Sequence, residues 1–350
     1  MIPRQLPDSF ESEQLSRRQA LATIGAAGVA SLAGCAGGDG GSGGGGNQAQ
    51  DIEIRYIPHG APSEDPFWEA QQQSWDTAVD QLGVEAAYQA PEESSNFPEQ
   101  VDNIETAIDA GVDGIAVTLP DPPLFQDALQ RAADEGIYVT VTNVTERGEK
   151  TMPWQGYIGQ DEAEVGEALA SQTLPLFESE AGSPPSGVVI LNHDPGHSAL
   201  QLRQEGIQSV LSDNNVPHDW IEVPPGDPSG VISQLGSHRA SNPDVNLVFS
   251  LGPAPGEAAL GYIQDEGLEG EVYHAGVDIS QDQANAIEEG YNLAQVIQQP
   301  ALQGYLAAHY LASNIQWGIL TPEHTPTGPT FVSADNVDTV LTQIETFGVA

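Results

Sequence analysis

From residue 51 to the C-terminus the hydrophobic pattern switches repeatedly between strand-like and helical periods, and that alternation leaves few folds open. The short apolar runs "IEIRYIP", "EAAYQA", "GIAVTLP" and "IYVTVTN" are separated by amphipathic segments "PFWEAQQQSWDTAVDQLG", "FPEQVDNIETAIDAG" and "PLFQDALQRAADEG". In the first of these, Phe67, Ala70, Gln71, Trp75, Ala78, Val79 and Leu82 form one apolar stripe. Such alternation builds a parallel sheet with helices on both faces. The second half repeats the programme. Strands "GVVILN", "DWIEVP", "NLVFSL", "EVYHAG" and "NLAQVI" alternate with helices near 196–213, 229–240, 255–267 and 280–289. A long helix near 300–317 follows, and "FVSADNVDTVLTQIETFG" adds a strand and a closing helix. A chain of 350 residues has room for about two domains. The expected fold class is therefore α/β, with two doubly wound parallel-sheet lobes.

Doubly wound sheets hold ligands just beyond the carboxyl ends of their strands. The residues that follow each strand are thus the candidates for a site. In the first half these are "HGAPSEDPFW", Pro120-Asp121 and Asn143; in the second, "NHDPGHS", "PPGDPS", Gly252-Pro253, Asp278 and Gln298. All would face one crevice between the lobes.

Several chemistries fit this crevice poorly. His193 and His197 have i,i+4 spacing, but Pro195 and Gly196 between them oppose a continuous helix, and Asp194 is the sole candidate third ligand. No metal site is expected. Gly-x-Ser-x-Gly occurs only in a glycine-rich stretch, so it is a linker and not a nucleophile elbow. The first strand is followed by "PHGAPSED" in place of GxGxxG, and no GxxxxGK[ST] occurs. A neutral polyol remains. Aromatic faces cover C–H surfaces, and planar polar groups pair with hydroxyls. Phe67 lies on the apolar stripe and suits either core or pocket, whereas Trp68 is off the stripe, which favours the pocket. Arg203 is one of six basic residues after Cys35, and the expected role is a forked donor to hydroxyls, with a surface ion pair as the plainer reading.

The N-terminus has a different logic. Arg17-Arg18 precedes a short Ala/Gly-rich apolar run ending in Leu32-Ala33-Gly34-Cys35. This pattern indicates a twin-arginine export signal over 1–35 with lipid attachment at Cys35, the only cysteine. Residues 36–50, "AGGDGGSGGGGNQAQ", form a flexible tether reaching roughly 20 Å. The charge is extreme, with 51 acidic residues against 9 basic and a net of -42. Nucleic acid and anionic surfaces are therefore unfavourable partners. The acids are spread through periodic segments, which suits a surface adapted to molar salt, where the Debye length is about 3 Å at 1 M. A haloarchaeal source is expected.

Taken together, "DPFW", "DAGVDGIAVTLPD", "YIGQDEAEVG", "NHDPGHSALQLRQEG", "GDPSG", "SNPDV", "LGP", "GVDIS" and "QQPALQGYLA" give a recognisable set. From about residue 51 to 350 the chain resembles the sugar-binding proteins of ABC importers with the type I periplasmic-binding fold. The likeness is strongest to the ribose-binding-like group that also contains autoinducer and rhizopine binders. The resemblance implies a three-strand hinge, an N-lobe of 51–157 plus 299–325, and a C-lobe of 158–298 plus 326–350. It implies ligand contacts from Asp65, stacking by Phe67 and Trp68, and hydroxyl contacts from Asn143, Arg203, Asp278 and the hinge-side Gln298. Val144, Gly226 and Gly252 depart from the residues of ribose binders, Asp227 stands in beside Gly226, and a ligand other than ribose is implied. The implied protein is a monomer without cofactor or catalysis, lipid-anchored on the outer face of the cell membrane, with a sugar ligand and ABC permease subunits as partners. A ligand-sensing receptor of the same fold stays open as an alternative, as does an extracellular glycoside hydrolase.

Overall fold

The computed structural model describes residues 52–146, 148 and 150–350, so the expectations for the signal, Cys35 and the tether lie outside the described residues. In chain order the first elements are β1 (Glu53–Ile57), α1 (Pro66–Leu82), β2 (Glu85–Tyr88), α2 (Phe97–Ala110), β3 (Gly114–Val117), α3 (Pro122–Asp134), β4 (Tyr138–Asn143) and β5 (Gly156–Gly159). Then come α4 (Glu162–Ala181), β6 (Val188–Asn192), α5 (Ser198–Asp213), β7 (His218–Glu222), α6 (Pro228–Ser241), β8 (Leu247–Ser250), α7 (Pro253–Asp265) and β9 (Tyr273–Val277). The chain closes with α8 (Gln281–Glu289), β10 (Asn292–Ile297), α9 (Pro300–Trp317), β11 (His324–Pro326), β12 (Thr330–Ser333) and α10 (Leu341–Phe347).

Two six-stranded sheets result, ordered β11-β5-β4-β3-β1-β2 and β12-β10-β9-β8-β6-β7. The first is parallel throughout; in the second, β12 alone runs antiparallel, against β10. The period-two alternation explains how each sheet is covered on both faces. Ile115, Val117, Val139 and Val141 pack under α2 and α3, while Ile54, Tyr56 and Ala116 face Trp75 and Ala78 of α1 and Ala307 and Leu311 of α9. In the second sheet Val188, Ile190 and Phe249 point toward α4 and α5, and Val189, Leu191 and Val248 toward α6 and α7. Two doubly wound α/β lobes are thus present.

The chain passes between the sheets at 160–161, 298–299 and 327–329. β5 and β11 keep pairing to Gly159 and Pro326, so the first and third passages come after the expected breaks at 157 and 325. β5, β11 and α4 were not anticipated from the pattern. β11 has three residues, and α4 carries Pro175 in its interior, where proline normally ends a helix. α7 starts two residues ahead of its expected start because Pro253 occupies its first turn, the place where a missing N–H costs nothing.

Candidate functional site

The carboxyl ends of both sets of strands meet around one cavity of about 700 Å³, within the usual range for small-molecule pockets. All eight residues expected to bind a ligand line it: Asp65, Phe67, Trp68, Asn143, Arg203, Asp227, Asp278 and Gln298.

Gln298 is the hub. Its Oε1 accepts from Arg203 Nη2 at 2.8 Å and from Asn143 Nδ2 at 3.1 Å, and its Nε2 donates to Asp278 Oδ2 at 2.7 Å. It sits on the second passage between sheets, so these bonds tie α5, β4 and the loop after β9 to the crossing strand. Asn143 and Asp278 both take left-handed backbone conformations, with φ of 59° and 65°. Asn and Asp tolerate that region better than other non-glycine residues, and such departures gather at functional sites. Asp278 is buried, and its Oδ1 has no hydrogen-bond partner.

Arg203 is more committed than a free fork. Its Nε donates to Glu162 Oε2 at 2.5 Å, Nη1 donates to the Leu251 carbonyl at 2.9 Å, and Nη2 is held by Gln298. The ion pair is buried, with side-chain exposures of 6% and 4%, which replaces the surface pairing considered from sequence. The approach of α4 to α5 makes it possible. A Cβ at Gly166 would overlap the Arg203 carbonyl oxygen, and one at Gly206 would overlap that of Ala163, so both helices need glycine at their crossing. Burial raises the Glu162 pKa, partly offset by Arg203; burial also opposes the Arg203 charge, but Glu162 and Asp278 together hold it above its ordinary value.

Asp65 and Asp227 also serve the helices. Asp65 Oδ1 accepts from the Phe67 N–H at 2.9 Å as the N-cap of α1, and Asp227 Oδ1 accepts from Gly230 N–H at 3.0 Å as the N-cap of α6. Burial pushes Asp65 up to about 6, and Asp278 up to about 7 against the pull of Arg203. Trp68, off the apolar stripe, is in the cavity wall and is buried there. Its indole lies over Gly60, where any Cβ would collide with it, and its ring meets Phe67 edge-on with centroids 4.8 Å apart.

Three histidines join the wall that sequence reasoning did not select as ligand contacts. His59 follows β1, the His197 Nδ1 caps α5 by accepting from Ala199 N–H at 3.1 Å, and His193 fills the space over Gly252. Burial, followed by the nearby Arg203 charge, lowers His193 to about 4 and His59 to about 3. The imidazoles are therefore neutral at pH 7. Their common signal was position: each lies in a loop that follows a strand. Among the described residues no group of three His, Cys, Asp or Glu is placed to hold a metal ion, and no helix is long and apolar enough to cross a membrane. The cavity thus combines one neutralised guanidinium, acceptor carboxylates, amides and two aromatic faces.

A family model described as a periplasmic binding protein domain matches residues 59–318. The xylose/arabinose-binding protein of Sulfolobus acidocaldarius is 27% identical over 270 residues, covering 71% of this chain and 63% of that protein. The match therefore spans less than two thirds of that relative's length. A carbohydrate transporter from Acidothermus cellulolyticus, solved with myo-inositol, aligns with a TM-score of 0.75 and 26% identity over 85% of this chain and 100% of that one. A periplasmic sugar-binding protein from Legionella pneumophila aligns with a TM-score of 0.73 and 26% identity over 79% and 99%.

Proposed function

The chain belongs to the periplasmic binding protein family, and from that membership we propose that it is the extracytoplasmic solute-binding protein of an ABC importer. It takes a sugar or sugar-like polyol into the cleft between its lobes and delivers it to a membrane permease. The observation that carries this reading is the polar floor of the cavity. Asp278 presents a buried, unpartnered carboxylate oxygen beside the Arg203–Gln298–Asn143 cluster, in the cavity that Phe67 and Trp68 also line. A buried acceptor with no donor is costly unless a ligand hydroxyl supplies one. The pentoses named for the Sulfolobus relative and the cyclic polyol in the Acidothermus structure support the same ligand class.

In this reading Asp65, Asn143, Arg203, Asp227, Asp278 and Gln298 bond the hydroxyls, and Phe67 and Trp68 cover the C–H faces. A ligand touching both lobes favours the closed state by its differential contacts and needs no cofactor or bond-making chemistry. The lobes move about the three passages between sheets, and a monomer suffices. The twin arginines, Cys35 and the glycine-rich tether anchor the protein by a lipid to the outer face of the membrane. The acidic surface keeps it soluble in molar salt, as in a haloarchaeon.

A thermal-shift screen of monosaccharides and polyols in molar KCl tests the reading. A ligand at a hundred times its dissociation constant adds about 2.7 kcal/mol of stability, which is about 5 °C at this chain length. A flat response to D-xylose, L-arabinose, D-ribose, D-glucose and myo-inositol alike would remove the sugar assignment.

A further inference from the structure

Two buried histidines on opposite lobes meet directly across the cleft. His59 follows β1 in the first lobe, His197 precedes α5 in the second, and their Nε2 atoms are 3.1 Å apart. Both are buried, with exposures of 6% and 7%. The proton positions follow from their other partners. The Ala199 backbone N–H can only donate, so His197 Nδ1 accepts and a neutral His197 carries its proton on Nε2. That proton is given to His59 Nε2. His59 then carries its own on Nδ1 and donates to Thr118 Oγ1 at 2.8 Å. One ordered line of bonds runs from the second lobe into the first, and it uses each imidazole in its neutral form. Ser95 Oγ to Asp194 Oδ2 at 3.3 Å and Ser198 N–H to the Pro120 carbonyl at 3.5 Å also join the two sides of the cleft.

We propose that His59 and His197 form the clasp that holds the two lobes closed over the cavity, and that a second proton on either ring opens it. With both Nε2 atoms protonated, two donors would face each other where one bond stood. The pair rests on the reading that the lobes close around a ligand, but it does not depend on which ligand. His59 also holds Trp68 in place, with ring centroids 4.6 Å apart. The clasp and the aromatic wall of the cavity are therefore one structure.

The surroundings reinforce the neutral state. Burial comes first in lowering both rings; the Arg203 charge adds to it at His59, and at His197 the facing His59 adds most, followed by Arg203 and His193. The acids facing the same cavity are Asp65, Asp194, Asp227 and Asp278, with Glu64 and Glu93 at its rim. Asp65 and Asp278 are raised by burial, so closing takes up protons there and opposes the histidines. The acid contribution is common to wild type and histidine variants, so comparing them isolates the clasp. A solvated imidazole titrates near 6.5 and a clasped one far lower. The histidine contribution to closure is therefore fully present above about 6.5 and weakens as pH falls below it. Between pH 7.5 and 5.5 each imidazole shifts the open-to-closed ratio about 10-fold, and the two together about 100-fold.

The test uses the full chain carrying Cys35→Ser, with spin labels on cysteines replacing exposed Glu92 and Ser229 in opposite lobes. The inter-label distance is measured by pulsed electron resonance in molar KCl at pH 7.5 and 5.5, without sugar and then with D-xylose. His197→Asn keeps the helix cap, since Asn is a strong N-cap, but cannot reach His59. His59→Gln keeps an acceptor for His197 and removes one titrating ring. The clasp predicts a short distance at pH 7.5 in the parent. It predicts a longer distance at pH 7.5 in His197→Asn, and in His59→Gln a change in the open-to-closed ratio between pH 7.5 and 5.5 that is about 10-fold less toward opening than in the parent. An equal pH response in His59→Gln and the parent, or His197→Asn as closed as the parent at pH 7.5, would overturn it. If His197→Asn does not fold, an equal pH response in His59→Gln and parent overturns it alone. Should the distances follow the clasp while D-xylose changes none of them, the clasp stands and the pentose reading is what fails.

Discussion

Replacing Glu162 by Gln removes one charge from the buried pair and almost nothing else. The side chains are isosteric, and the amide oxygen can still accept from Arg203 Nε, so the change isolates the electrostatics. Arg203 is then left as a buried cation with Asp278 as the nearest counter-charge, through Gln298. Breaking a buried pair by removing one partner costs about 3–5 kcal/mol. The retained hydrogen bond places Glu162→Gln at the low end, about 3 kcal/mol. At about 2 °C per kcal/mol for a chain of this size, the melting temperature should fall by about 6 °C. Differential scanning calorimetry in 1 M and 3 M KCl is the assay, because a buried pair is little screened and the loss should persist at both salts. The double variant Glu162→Leu/Arg203→Leu supplies the contrast. An apolar replacement of similar volume is often neutral for stability, so it should melt close to the parent yet no longer bind sugar. A loss below about 1 °C in Glu162→Gln would refute the buried pair, and sugar binding retained by the double variant would refute Arg203 as a ligand contact.

Asp278→Asn separates stability from binding. Burial raises the carboxyl to about 7 in the folded state against an unfolded value near 3.9, so its contribution is present below about 4 and lost as pH rises through about 7. The variant should therefore melt higher than the parent at pH 8, with the gap shrinking at pH 5, while sugar affinity falls; equal melting at both pH values would contradict the assignment. Gly60→Ala places a Cβ inside the Trp68 indole, so it should weaken sugar binding about 10-fold and change intrinsic tryptophan fluorescence; an unchanged spectrum would mean the ring does not lie there. Gly206→Ala forces α4 and α5 apart where they hold Arg203 and should cost about 1–3 kcal/mol by denaturant titration. Asp227→Ala removes the α6 cap and should cost about 1 kcal/mol, whereas Asp227→Asn should restore stability but not any affinity lost.

What could be read in advance follows from physical range. The strand–helix alternation is local, and so is the rule that ligand groups follow strand ends; together they put Asp65, Asn143, Asp278 and Gln298 on one cavity. β5 escaped because "GYIG" carries two glycines and no alternation, and β11 because three residues hold no period. The partner of Arg203 escaped for a different reason. Glu162 lies 41 positions away among 51 acids, and only the glycine crossing of α4 and α5 distinguishes it. His59 and His197 are 138 positions apart, on separate lobes. Trp68 stands off the apolar stripe and is nevertheless buried, because at the first turn of α1 the core and the cavity wall are continuous.

In the proposed function a polyhydroxyl ligand is bound by the Asp278–Gln298–Arg203 cluster. Isothermal titration of D-xylose, L-arabinose and myo-inositol into the full chain carrying Cys35→Ser, in molar KCl at pH 7.5, tests it most directly. Saturable one-to-one binding of at least one of them is expected, weakened 10-fold or more by Asp278→Asn. Absence of binding by all three, or an affinity that Asp278→Asn leaves unchanged, would contradict it.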